Sequence, residues 1–325
     1  MAHFDVFNGD ADGICALHQL RLARPREATL ITGTKRDIAL VERVPAQPGD
    51  SLTVLDISFD VNRAALMALL AKNVAVEYFD HHHAGELPVC LNLVAHIDTT
   101  AQVCTSVLVD RHLAGRYRPW AIAAAWGDNL PETARALAQQ AGLDAAQIAQ
   151  LRELGESINY NAYGDSVEDL MIAPLDLYST MKPYESPFDF IAAEPIVTRL
   201  ARCREDDLEQ AQAIAPLIAL QYGSVCVLPD EPWARRVRGV FANALANEEP
   251  SRAHAVLSVN ADGNYAVSVR APLTEPRGAD ELCRVFPGGN GRVGAAGIDS
   301  LDSARLDAFV TAFARVFGRT KPASI

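Results

Sequence analysis

With 325 residues, 49% of them hydrophobic and 22% charged, the chain is long enough for about two ordinary domains, each with a sizeable core. Its formal net charge of -12 argues against a general binder of long or duplex nucleic acid, because such affinity rests on a basic field. No apolar run approaches the ~18 residues of a membrane span, no signal peptide is recognisable, and the six cysteines form no CxxC pair, so a cytoplasmic protein with reduced, buried thiols is expected.

The first part alternates short apolar runs with helix-period segments. Residues 4–7, 28–32, 52–57 and 75–79 read as strands, and 14–23 and 61–72 as amphipathic helices. This rhythm predicts an α/β fold with a parallel, doubly wound sheet whose strand-to-helix loops share one edge. Helical patterns dominate from 105 to about 159, with Pro119 and Pro131 at helix starts. A proline-bearing stretch to about 194 reads as packed connecting structure, and a helix is expected over 206–220. From about 223 a smaller α/β domain follows: a strand at 224–228, a helix at 236–246, a hairpin of 253–260 and 265–270 around Ala261–Asn264, a helix at 279–286, a glycine-rich run at 288–297 and a final helix over 303–317. The expected organisation is a first domain over 1–190 with a helical extension, a connector helix within 191–222, and a second, smaller domain over 223–325.

Four acidic or histidine clusters fall at strand ends or loops of the first domain. They are Asn8-Gly9-Asp10-Ala11-Asp12-Gly13 after the first strand, Asp56-Ile57-Ser58 at the end of the third, Asp80-His81-His82-His83 after the fourth, and Gly127-Asp128-Asn129 after a helical run. The sheet brings the first three to one edge, and converging carboxylates and imidazoles are what a divalent cation needs. Such mixed ligands suit manganese, and two cations can share one bridging carboxylate. Taken singly, Asp10 and Asp12 also read as an Asx turn with a helix cap. The Thr32–Arg36 segment reads as a solvated loop that adds some positive charge at the same edge.

Asp10-Ala11-Asp12-Gly13, Asp56, Asp80-His81-His82 and Asp128, followed by Ser268-Val269-Arg270 and Ala295-Ala296-Gly297, resemble the DHH phosphoesterase superfamily and its associated substrate domain over nearly the whole chain. That superfamily includes RecJ-type exonucleases, family II inorganic pyrophosphatases, and small oligoribonucleases that also dephosphorylate phosphoadenosine phosphate. The resemblance implies two divalent cations, manganese first, with magnesium or cobalt as substitutes. One is implied to be held by Asn8, Asp10 and Asp56, the other by Asp12, Asp56, His81 and Asp128, with Asp56 bridging. Asp56, Asp80 and His82 form the implied catalytic set, and His82 faces the phosphate or leaving group.

Two departures stand out. Asn8 replaces a stronger ligand, and Asn290-Gly291-Arg292 replaces the family's Gly-Gly-His. Gly289, Asn290, Gly291, Arg292 and Arg270 are expected to grip substrate phosphate. Here glycine N–H groups form a nest and arginine supplies bidentate bonds, while Arg292 reads equally well as a surface arginine. The implied function is hydrolysis of phosphate mono- or diesters in a small nucleotide or short single-stranded oligonucleotide. Its rivals are a single-strand RecJ-like exonuclease, a pyrophosphate or polyphosphate hydrolase, and a non-catalytic nucleotide-binding regulator. The sequence leaves a homodimer open.

Overall fold

The computed structural model describes residues 1–260 and 262–318. The chain divides into two compact units at Arg202/Cys203. Unit one contains β1 (His3–Phe7), α1 (Ala11–Ala23), β2 (Thr29–Ile31), β3 (Ser51–Leu55), α2 (Arg63–Ala71), β4 (Ala75–Asp80) and β5 (Leu93–Ile97). The helices α3 (Thr105–His112), α4 (Arg118–Gly127), α5 (Pro131–Gln140), α6 (Ala145–Asn161), α7 (Pro174–Met181) and α8 (Pro187–Ala193) follow, and α9 (Pro195–Gln212) runs across the division.

The strands of unit one pair in the order β2-β1-β3-β4-β5, every pair parallel. Side chains alternate across the sheet. Val6, Val54 and Tyr78 share one register row and face a core with Leu66 and Leu69 of α2. Their neighbours Phe7, Leu55 and Phe79 face the opposite core, built with α1, α3, α4 and α6. The strand order reverses between β1 and β3, and such a switch point opens a crevice at the carboxyl ends of the strands.

Glycine governs the packing of the helical layer. A Cβ on Gly155 of α6 would lie 1.8 Å from the Ala123 carbonyl oxygen of α4, and one on Gly127 would lie 2.5 Å from Ala11 Cβ. Only glycine lets α4 and α6 approach backbone to backbone, and that approach fixes the end of α4, where Asp128 sits.

Unit two carries β6 (Ile218–Leu220), β7 (Gly223–Leu228), α10 (Pro232–Glu248), β8 (Ala253–Val259), β9 (Tyr265–Arg270), α11 (Ala279–Arg284), β10 (Gly289–Gly291), β11 (Ala295–Leu301) and α12 (Leu306–Phe317). Its sheet runs β10-β11-β9-β8-β7-β6 and is antiparallel except between β7 and β8. Val237 and Phe241 of α10 pack with Cys226 and Val256 on one face. Phe309 and Phe313 of α12 pack with Val225, Leu257 and Val267 on the other.

Three expectations change. The helix expected over 206–220 is α9, which starts at Pro195 and ends at Gln212. Pro216 cannot continue it, and residues 218–220 are strand. The last helix starts at Leu306, after a 3-10 turn over Ser303–Arg305. The glycine-rich run forms a hairpin of β10 and β11. Ala261, in the turn between β8 and β9, lies outside the described residues.

Candidate metal centre

The loops leaving β1, β3 and β4 and the end of α4 bring their acidic and imidazole groups together. Asp10 caps α1, with Oδ1 accepting from the N–H groups of Asp12 and Gly13 at 3.0 Å each. The Asx-turn reading of Asp10 is therefore present in the structure. A Cβ on Gly13 would stand 2.3 Å from the Asn8 carbonyl oxygen, so this turn admits no side chain there. Asp12, in the first turn of α1, accepts from the amides of Thr105 and Ser106 at 2.7 Å each, at the N-terminus of α3. An acidic side chain is favoured at that positive helix end.

Asp56 directly follows β3 with φ 59, left-handed backbone that aspartate adopts at a cost of about 1 kcal/mol. Its Oδ1 accepts from the Thr105 hydroxyl at 3.2 Å. His81 donates from Nδ1 to the Val103 carbonyl at 3.0 Å, because a carbonyl only accepts. In the neutral ring Nε2 is then a free lone pair, the state a metal ligand needs. That nitrogen lies 3.4 Å from Asp56 Oδ1, 3.9 Å from Asp12 Oδ2 and 4.0 Å from Asp128 Oδ2.

His82 bonds through Nδ1 to Asp80 Oδ1 at 2.7 Å, and its side chain is 46% exposed, so a substrate can reach it. Asp80 is fully buried, and its Oδ2 has no hydrogen-bond partner among the described residues.

The electrostatics call for a cation. Burial drives the Asp56 carboxyl well above its ordinary range, reinforced by the charges of Asp12, Asp10, Asp128 and Asp80. Asp128 is raised by burial and by Asp12 and Asp10, against the opposing pull of Lys35 and His81. Burial lowers His82, but its bond to Asp80 and the surrounding carboxylates outweigh that, and its net shift is upward. Asp12, His81 and Asp128 offer ligand atoms within 4.8 Å of one another, and so do Asp56, His81 and His82. Crowded carboxylates with the His81 Nε2 among them fit a divalent ion at this pole.

The Asn8 and Asp10 side differs. Asn8 Oδ1 accepts from the Asp10 amide at 3.2 Å, and its Nδ2 donates to the Lys35 carbonyl at 3.3 Å. Lys35 sends its ammonium 2.5 Å from Asp10 Oδ2, 3.0 Å from Asn159 Oδ1 and 3.7 Å from Asp128 Oδ1. The sequence placed Lys35 in a solvated loop that adds positive charge at this edge but gave it no partner, and it did not single out Thr105 or Asn159. The only signal for the lysine was its place in a loop at the carboxyl end of a parallel strand.

In unit two the phosphate nest is not available as expected. The Gly289 amide donates to the Phe286 carbonyl, Gly291 to Asn290 Oδ1 at 2.7 Å, and Arg292 to the Ala295 carbonyl at 2.8 Å. Each of these three donors is thus engaged by a group close by in the chain. Arg270 stands opposite Ala295 in the sheet, and its Nε donates to Asn243 Oδ1 at 2.6 Å.

Solved structures resemble this fold along almost its full length. Exonuclease RecJ bound to manganese matches with a TM-score of 0.63 and 19% identity, over 98% of this chain and 91% of that one. RecJ in complex with Mn2+ from Thermus thermophilus matches with a TM-score of 0.65 and 19% identity, over 98% of this chain and 52% of that one. The chain has the fold of the DHH phosphoesterases. A third match to the DHH fold is the pGpG-specific phosphodiesterase PggH from Vibrio, with a TM-score of 0.55 and 15% identity, over 98% of this chain and all of that one. No protein-family model and no curated protein matches the sequence. No helix among the described residues is long and apolar enough to cross a membrane.

Proposed function

We propose that this chain is a divalent-metal-dependent phosphoesterase that hydrolyses phosphate esters of small nucleotides or short single-stranded oligonucleotides. The observation that carries this reading is the meeting of Asp12, Asp56, His81 and Asp128, from four separate segments, around the His81 Nε2 lone pair. The similar folds include a manganese-bound exonuclease and a pGpG-specific phosphodiesterase, which supports both the metal and the substrate class.

Asp12, Asp56, His81 and Asp128 would hold the ion. A bound divalent cation supplies Lewis acidity toward the phosphoryl group, and manganese suits the mixed oxygen and nitrogen donors. The Thr105 hydroxyl and the Thr105 and Ser106 amides orient the carboxylates of Asp56 and Asp12. Asp80 fixes the His82 ring so that Nε2 points away from the Nδ1–Asp80 bond, where it can hand a proton to the leaving oxygen. The net charge of -12 favours short substrates over long strands, whose binding leans on phosphate neutralisation.

The test is a manganese-supplemented screen of short RNA, short DNA, linear and cyclic dinucleotides, phosphoadenosine phosphate and pyrophosphate. Turnover of a nucleotide ester that is lost in Asp56→Ala and His81→Ala supports the reading. Retained turnover in both variants removes it. Processive, salt-sensitive cleavage of long single strands would instead mark a RecJ-like exonuclease.

A further inference from the structure

We propose that the Lys35 ammonium permanently occupies one of the two cation positions implied by the fold, so that this chain holds a single divalent ion beside a built-in monovalent charge. The inference rests on the metal-dependent reading above and concerns how many ions that centre takes.

Asp10 is committed on both oxygens. Oδ1 accepts two amides at 3.0 Å, and Oδ2 meets Lys35 Nζ at 2.5 Å. On Asp12, by contrast, each oxygen accepts one amide and keeps a second lone pair for a metal, since backbone donors commonly support ligating carboxylates. The ammonium on Asp10 Oδ2 gives no such support, because a cation already on that oxygen repels another at close range. Asn8, the other group on this side, is neutral and spends its side-chain amide on the Asp10 amide and the Lys35 carbonyl.

Lys35 is anchored rather than wandering. Its amide donates to the Ala162 carbonyl at 2.9 Å, and its ammonium donates to Asn159 Oδ1 at 3.0 Å and lies 5.5 Å from the Tyr163 ring centre. The end of α6 and the residues just past it thus form a receptor for this side chain. Its receptor and Asp10 hold the ammonium 3.7 Å from Asp128 Oδ1, whereas the His81 lone pair approaches the other oxygen, Oδ2. Among the described residues, both Asp/His groups with mutually close ligand atoms include His81, and neither includes Asp10. The acidic centre therefore has one pole shaped for a divalent ion and one already neutralised by the protein. Asn8 and Lys35 belong together on this account: a lysine that replaces an ion removes the need for a strong ligand at position 8.

The decisive measurement is manganese content. The chain is stripped with EDTA, titrated with MnCl2, desalted and read by mass spectrometry of bound metal and by electron paramagnetic resonance. One manganese per chain, with an uncoupled six-line spectrum, is expected. The paired variant Asn8→Asp with Lys35→Met is expected to take up a second manganese and show an exchange-coupled multiline spectrum. Two coupled ions in the unaltered chain overturn the inference while leaving the phosphoesterase reading intact. One ion in both proteins overturns the claim that Lys35 excludes the second. No bound manganese at all overturns both readings.

Discussion

Thr105 places its hydroxyl 3.2 Å from Asp56 Oδ1 while its backbone amide, 2.7 Å from Asp12 Oδ2, holds the neighbouring carboxylate. One residue at the start of α3 thus orients two of the four ligands, which come from α1 and from the ends of β3, β4 and α4. Thr105→Val removes the hydroxyl and keeps the shape and the amide. It is expected to lower manganese affinity or activity by about 10- to 100-fold, the usual cost of losing a support to a ligand. Thr105→Ser is expected to restore most of that loss. Titration calorimetry with Mn2+ checks both, and a Thr105→Val variant with unaltered affinity and turnover removes this role.

Metal should also stabilise the fold. Burial and the crowding of Asp12, Asp10, Asp128 and Asp80 around Asp56 make the ion-free centre electrostatically unfavourable. A ligand at 100 times its Kd adds about 2.7 kcal/mol of stability. Manganese should therefore raise Tm by several degrees and EDTA should reverse the rise, with both effects absent in His81→Ala. The Asp56 carboxyl is raised, so protons compete with the ion and the manganese-dependent rise in Tm should shrink as pH falls into the raised range.

His18 sets a separate pH dependence outside the ligand set. It is 1% exposed, donates from Nε2 to the Tyr184 carbonyl at 2.8 Å and meets Trp120 edge to face. Burial lowers its pKa from 6.5 to about 4, against a smaller upward pull from the Tyr184 bond. The unfolded chain therefore takes up a proton first as pH falls. Stability from this residue is complete above about 6.5, declines between 6.5 and 4, and then levels off, a total of roughly 3 kcal/mol. Asp5 is lowered too, since Arg21 and His3 outweigh its burial, so its contribution is lost only below its ordinary 3.8. Chemical denaturation of His18→Gln, which retains a donor but does not titrate, should show a shallower slope between pH 6.5 and 4. Equal slopes would exclude His18 as the source.

Much of the site was legible because a parallel sheet sends each strand-to-helix loop to one edge. Asp12, Asp56 and His81, far apart in sequence, fall together for that reason alone. Lys35 was legible only as charge at the site's edge, since a loop lysine reads as solvated until Asn159, 124 residues later, is seen to receive it. The hairpin of β10 and β11 was hidden for a different reason. Glycines carry no side-chain alternation, so Gly289 and Gly291 suggested a phosphate nest and gave no strand pattern. β5 escaped because it is an edge strand whose side chains, including His96, are only partly buried, which blurs its period.

Gly155→Ala tests the helical layer directly. The added methyl would fall 1.8 Å from the Ala123 carbonyl oxygen, and neither backbone has room to yield. A loss of about 1–3 kcal/mol is expected, as for overpacked cores, read as a lower midpoint in denaturant. A midpoint unchanged from that of the parent chain would show that α4 and α6 can part without cost.

That same contact has a bearing on how the centre can change. Asp128 is carried at the end of α4 and Asn159 near the end of α6, and the two helices meet main chain against main chain, with no intervening side chain to adjust. The gap between the anion that would face the ion and the amide that receives Lys35 is therefore set by the bare thickness of two polypeptide backbones. Variation in metal preference or ion number then has few routes through this layer. It is left to the loops after β1, β2 and β4, where exchanging one side chain leaves the scaffold untouched.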